Sequence, residues 1–362
     1  MNDVAELKRY VGVHARGQRI PRYQLLLDRI STDADGPGSW VGEWCAEAAR
    51  LEERGRHLDA CRHYIMARFP YVDGPGRQEA YVRALAAFEK WRVGRDIHRL
   101  HVDVDGERVS CWQTGLSTTN RLPLLVIMGG IVSVKEQWAP VLPVCRRLGM
   151  ATVVLDMPGT GENPLRYDAD SWRMLSRLLD AVADRADVSR SYMLTLSFSG
   201  HLALRCAMAD SRVKGVVTAG APISEFFTDT AWQSTLPRIT VDTLAHLTGV
   251  KATSLPDELS GRALPAAALS ALDIPVGYVA SRQDEIIPWG DLRMLRAHVR
   301  RLWVLEHDDV HAAPRHLTES QLWIVHALLR MRDVRNAHRL VLGLLWRAVH
   351  AAGKLRTALD QI

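Results

Sequence analysis

Cysteine is scarce in this chain: five residues among 362 (Cys45, Cys61, Cys111, Cys145 and Cys206), odd in number, widely spaced and set among apolar neighbours. That usage excludes a disulfide framework and a cysteine-based metal site, and reads as reduced core thiols. Long apolar runs are missing too. No stretch of 18 apolar residues occurs, and the opening M-N-D-V-A-E-L-K-R-Y has no apolar signal core, so a cytoplasmic location without a membrane partner is the expectation. The net charge of +5 comes from basic residues that are nearly all arginine and are scattered among 41 acids, which argues against a nucleic-acid partner. Internal repeats and low-complexity stretches are also absent. What remains is an ordinary globular composition, 47% hydrophobic and 24% charged, long enough for one large α/β domain and a smaller one.

The order of patterns along the chain divides it. Residues 1–95 show helical periodicity and almost no strand signal. Ser39 is placed to cap a helix from Trp40 to about Glu53, another runs from His57 to Phe69, and a third from about Gln78 to Trp91 carries Tyr81, Leu85, Phe88 and Trp91 on one face. From His98 the pattern turns to strands, beginning with a hairpin around Asp105-Gly106. Apolar strands then alternate with amphipathic helices through residue 334, including a helix expected from about Glu136 to Leu148 and one opened by a Thr318/Gln321 capping box. An irregular insertion at about 221–270 interrupts the alternation. Such a pattern predicts an α/β fold, a mostly parallel, doubly wound sheet with helices on both faces, preceded by an N-terminal helical module. The segment 335–362 adds an amphipathic helix, with Leu340, Leu344, Leu345 and Trp346 on one side, for packing on the body or in a homodimer.

Residues 195–201, T-L-S-F-S-G-H, close an apolar strand and open a small-residue helix. A serine on such a strand-to-helix turn has its hydroxyl pushed out of the sheet above the unpaired N–H groups of the helix. Ser197 is the expected nucleophile. Thr195 and Ser199 stand where glycines flank the serine in the usual G-x-S-x-G pattern, and a rival register makes Ser199 the nucleophile, with the bulky His201 in the tight position.

A serine nucleophile needs a base, an acid to orient that base, and donors for the oxyanion, all at the carboxyl ends of strands. Asp284 follows the strand Val276–Ala280 and is the expected acid; Asp273 precedes that strand and Glu285 is its neighbour. After the strand Leu302–Leu305 come His307, His311 and His316, of which His311, in mid-loop, is the expected base. The H-D-D-V-H run lacks the helix face and third partner of a metal site, so no metal and no cofactor are expected. Gly129-Gly130 ends the strand Leu122–Met128, and the backbone N–H groups of Gly130 (or Ile131) and Phe198 are the expected oxyanion donors. Ile131, Trp138 and Glu225 are the candidate substrate contacts. The chain order Ser, Asp, His is that of α/β-hydrolases.

With G-G-I-V-S-V-K-E (129–136), V-L-D-M-P-G-T-G-E (154–162), the L-S-F-S-G elbow, Q-D-E-I-I-P (283–288) and the His311 loop, the sequence resembles the FrsA-like branch of α/β-hydrolases over roughly residues 40–331. That branch includes 2,6-dihydroxypseudooxynicotine hydrolase and fungal hydrolases that shorten polyketide chains. The resemblance implies a serine hydrolase whose helical cap closes over a bulky aromatic or polyketide-type substrate, a small molecule or a carrier-bound acyl group. Acyl transfer or cyclisation by the same three residues, and a silent hydrolase-fold binding protein, are the competing readings.

Overall fold

The computed structural model describes residues 2–334 and 337–359. Eight strands form one sheet: β1 His98–Val104, β2 Glu107–Thr114, β3 Pro123–Met128, β4 Ala151–Leu155, β5 Asp187–Thr195, β6 Val213–Ala219, β7 Val276–Ser281 and β8 Leu302–His307. Their order is β1-β2-β4-β3-β5-β6-β7-β8, antiparallel at β1/β2 and β2/β4 and parallel from β4 to β8. Asp105 and Gly106 both take positive φ (53° and 90°), the geometry that a tight hairpin between twisted strands requires. Strands β3, β4 and β7 are buried at every residue, as two-sided coverage demands.

The alternation along β3 shows how the layers are built. Leu124, Val126 and Met128 pack with the helices Arg173–Ala181 and Phe198–Ala209 and with the insertion, whereas Leu125 and Ile127 point to the opposite side. There they join Trp40, Trp44, Tyr64 and Phe88 of the N-terminal helices in one continuous apolar cluster. The helical module therefore shares its core with the sheet. It comprises Val4–Gly17, Tyr23–Arg29, Trp40–Glu53, His57–Arg68 and Pro75–Arg92, with the Ser39 side chain accepting from Gly42 N–H at 3.1 Å to cap the third helix.

Three segments differ from the sequence expectations. Residues 136–148 do not form one helix: two 3₁₀ turns, Lys135–Gln137 and Ala139–Val141, precede a short helix Leu142–Arg147. Pro140 and Pro143 lack the N–H that a longer helix would need. The helix expected to open at a Thr318/Gln321 box instead spans Leu317–Met331 with His316 at its cap, which places Thr318 inside the helix. The last helix is Ala337–Leu359; 335, 336 and 360–362 lie outside the described residues. On it Leu340, Leu344 and Leu345 are exposed, while Trp346 turns inward and stacks with His326 at 6.2 Å. Gly343, against His326, sets which face approaches the body, so Trp346 and the leucines do not share one buried side. The insertion contains the helices Glu225–Thr228, Thr230–Gln233, Arg238–Thr248, Leu255–Ser260 and Ala266–Ala271. Among the described residues no helix is long and apolar enough to cross a membrane.

Candidate active site

Ser197 stands between β5 and the helix Phe198–Ala209 with φ 57° and ψ −130°, a conformation that an L-residue holds only when its surroundings impose it. Its N–H is tied to Ala219 C=O at 2.8 Å, and Gly200 N–H donates back to Ser197 C=O at 2.8 Å. The flanking residues explain how the turn closes without the usual glycines. Ser199 is fully buried and its hydroxyl bonds to the carbonyls of Met128 (3.0 Å) and Leu196 (2.9 Å), so it braces the elbow against β3. Thr195 is buried with its hydroxyl unpartnered. The residue that must be small is Gly200: a Cβ there would stand 2.1 Å from Thr218 Oγ1 and 2.7 Å from Ala221 Cβ.

The structure brings Ser197, His311 and Asp284 together. Ser197 Oγ lies 3.1 Å from His311 Nε2, and His311 Nδ1 lies 2.9 and 3.0 Å from the two oxygens of Asp284. Asp284 is itself fixed by the N–H groups of Ile286 (2.9 Å) and Ile287 (2.8 Å). Burial alone would depress the His311 pKa; the Asp284 charge and hydrogen bond, with Glu285 beyond them, outweigh it and hold the imidazole above its ordinary value of 6.5. Glu285 accepts the His311 backbone N–H at 3.0 Å and so anchors the loop. The other two histidines of this segment are elsewhere. His307 is buried and stacks on His316 at 4.4 Å, and both approach Glu319; ligand-type atoms of these three lie within 4.8 Å of one another.

Gly220 carries no sequence motif, yet it borders the His311–Asp284 pair. It takes φ +56°, and a Cβ on it would stand 2.7 Å from His311 Cε1. The only signal was a glycine at the end of an apolar strand.

Phe198 opens its helix, where the first N–H groups have no intrahelical acceptor. Gly130 faces the elbow: a Cβ there would be 3.1 Å from Ser197 Cβ. Behind it, Lys135 is completely buried, with Nζ 2.9 Å from Glu136, 3.1 Å from Asp156 and 2.7 Å from Glu162. Burial opposes its charge, and the three carboxylates more than restore it. The Lys135 backbone N–H also donates to Asp156 at 2.5 Å, so one buried ionic cluster ties the loop after β3 to the loop after β4. Arg99 extends it, binding both Glu162 (3.1 Å) and Glu89 (2.7 Å) of the helical module.

Of the candidate substrate contacts, Ile131 is buried in the core beside Gly130. Trp138 stands against Gly129, whose Cβ would fall 2.6 Å from its Nε1. Glu225 packs on Gly290 and lies 3.5 Å from Arg293, at the start of the helix Trp289–His298. Two residues with no motif feel the charges of these loops. On the first helix, burial and the Glu285 charge push the Tyr10 pKa up, and burial with the nearby Arg68 and His311 pushes His14 down to about 4. That helix is held down by Glu6, which accepts the N–H groups of Arg238 (3.0 Å) and Ile239 (2.8 Å). All five cysteines are free, and burial pushes Cys111 and Cys206 to about 12, which leaves them protonated.

The sheet order, the strained serine on its strand-to-helix turn and the loops that meet it define an α/β-hydrolase. The family model described as esterase FrsA-like matches residues 37–266, and the chain belongs to that family. Esterase FrsA of Photobacterium profundum is 23% identical over 278 residues, covering 69% of this chain and 66% of that protein. Esterase FrsA of Vibrio cholerae serotype O1 is 24% identical over 232 residues, covering 59% and 55%. The chain thus spans between about half and two thirds of these relatives' length. Among solved structures, AbyA5 (wild type) is 48% identical with a TM-score of 0.93, covering 96% of this chain and 100% of that one. The 2,6-dihydroxy-pseudo-oxynicotine hydrolase is 18% identical with a TM-score of 0.68, covering 88% and 96%, and shares the fold.

Proposed function

We propose that this α/β-hydrolase cleaves acyl bonds through an acyl-enzyme on Ser197. The observation that carries the reading is the hydrogen-bonded line from Ser197 Oγ through the His311 imidazole to Asp284. His311 Nε2 takes the hydroxyl proton as Oγ bonds to the carbonyl carbon, and Asp284 stabilises the imidazolium that forms. The carbonyl oxygen, now negative, is received by the N–H groups of Phe198 and Gly130; losing one such donor costs about 2.7 to 4 kcal/mol of barrier. Collapse expels the leaving group with the proton from His311. Water, deprotonated by the same imidazole, then attacks the acyl carbon and returns Ser197. The bond broken is an ester, a thioester or a carbon–carbon bond next to a carbonyl; the name esterase borne by the FrsA relatives supports the first. The helical module over the sheet favours a bulky, polyketide-type acyl group, as in secondary metabolism, and a cytoplasmic setting suits the free thiols. Hydrolysis of acyl esters and thioesters by the wild type but not by Ser197→Ala is the expected result; equal turnover by the two proteins rejects the reading.

A further inference from the structure

We infer that Arg68 anchors an anionic oxygen group of the acyl substrate, a carboxylate or the enolate of an acidic dicarbonyl, so that the site selects negatively charged substrates. This rests on the reading of Ser197 as the acyl-accepting residue and names the class of acyl compound it serves.

Arg68 ends the helix His57–Arg68 and is 1% exposed. Its Nη1 donates to Val132 C=O at 2.7 Å, its Nε has no partner, and among the described residues its guanidinium makes no ion pair. A buried cation normally faces a carboxylate, because desolvation otherwise costs several kcal/mol. Here burial pulls the Arg68 pKa down, and the opposing influences come from Tyr81, Asp156 and Glu136. Asp156 and Glu136 are committed to Lys135. The guanidinium instead lines a cavity of about 400 Å³ together with Tyr71, Tyr81, Gly161, Glu162 and His246. Among the described residues the one carboxylate on that wall, Glu162, is held by Lys135 and Arg99. Tyr81 offers a second buried hydroxyl without a partner.

The position suits a substrate bound at Ser197. Val132 lies two residues beyond Gly130, so Arg68 is bonded to the same loop that carries this oxyanion donor. His14, whose ring feels both Arg68 and His311, stands in the same region, and its depressed pKa keeps it neutral. Arg68 is therefore a fixed positive charge there. A guanidinium with free N–H groups matches the two oxygens of a carboxylate or of a dicarbonyl enolate, both planar and delocalised.

The test uses the full chain carrying Ser197→Ala, so that binding is read without turnover, and two pairs of probes. Benzoylacetate is compared with benzoylacetamide, and dimedone, an enolate at neutral pH, with its doubly C-methylated, non-enolisable derivative. Calorimetric titration is expected to give at least roughly tenfold tighter binding of a charged member than of its neutral partner, the span of one charge-assisted contact. The pair that discriminates tells carboxylate from enolate. Adding Arg68→Met should abolish that preference, and Arg68→Lys, which keeps the charge and a donor for Val132, should restore part of it. Equal binding within both pairs, or a preference that survives Arg68→Met, overturns the anchor, the latter leaving Arg68 as a charge balance for the Lys135 cluster. The otherwise unaltered chain is also treated with a neutral fluorophosphonate. It reports on Ser197 separately: absence of labelling in the wild type itself counts against the hydrolase reading and not against the anchor.

Discussion

Gly220 faces the imidazole of His311 so closely that a Cβ at this position would stand 2.7 Å from Cε1 and 3.1 Å from Nδ1. The glycine is also at φ +56°, where a side chain is strained. Both facts make the end of β6 part of the wall that holds His311 between Ser197 and Asp284. Gly220→Ala is expected to cost about 1–2 kcal/mol of stability from the backbone alone. It should also lower kcat/KM by at least about 100-fold, because displacing the ring opens the 3.1 Å contact to Ser197. Urea unfolding and ester hydrolysis measured on the same preparation check both effects; unchanged activity would show that the ring does not need this space.

The pH profile follows from the raised His311 pKa. Only the neutral imidazole accepts the Ser197 proton, so kcat/KM should rise with pH through an apparent pKa above 6.5. Asp284→Asn removes the two largest interactions that raise it and leaves burial, which lowers it, against the weaker Glu285 charge. The acid limb should therefore move to lower pH while the plateau falls by about 10³–10⁴. A plateau loss with no shift of the limb would assign the titration to another group.

The elbow substitutions separate the two serine registers. Ser199→Ala removes the hydroxyl that bonds to the Met128 and Leu196 carbonyls and should cost about 1–2 kcal/mol, with fluorophosphonate labelling retained. Thr195→Val removes a buried hydroxyl without a partner and should leave stability unchanged or slightly higher. Loss of labelling in Ser199→Ala, measured by intact-protein mass, would reverse the assignment of nucleophile and brace.

Lys135→Met leaves the buried Glu136 and Asp156 without their cation, and Glu162 with Arg99 alone. Breaking such a cluster from one side costs about 3–5 kcal/mol, read as a lowered urea midpoint. Because the Lys135 backbone also binds Asp156 and the loop carries Gly130, the surviving folded protein should lose kcat more than it raises KM.

The parts of the site that were legible in the sequence sit at strand ends, where a short apolar run followed by Ser, Asp or His marks the place. Ser197, Asp284 and His311 could be read that way because parallel-sheet topology brings those ends together. Arg68, Tyr10 and His14 could not. Each sits on a helix whose own pattern records only which face is buried, and the partner of that face is decided by packing across more than sixty residues, as in the Arg68 to Val132 bond. The segment 136–148 misled in another way: its apolar spacing suits a helix, but Pro140 and Pro143 divide it into short turns. The missing elbow glycines were ambiguous for the same local reason, since only the tertiary contacts show Ser199 bonded inward and Gly200 pressed against Thr218.

In the proposed reaction Ser197 carries the acyl group. Trapping with a substrate acyl donor at low pH, followed by peptide mass mapping, addresses it most directly. The adduct is expected on Ser197 alone, absent in Ser197→Ala and accumulating far more slowly in a His311→Ala protein. An adduct on Ser199 or on a cysteine, or undiminished acylation of Ser197→Ala, would contradict it.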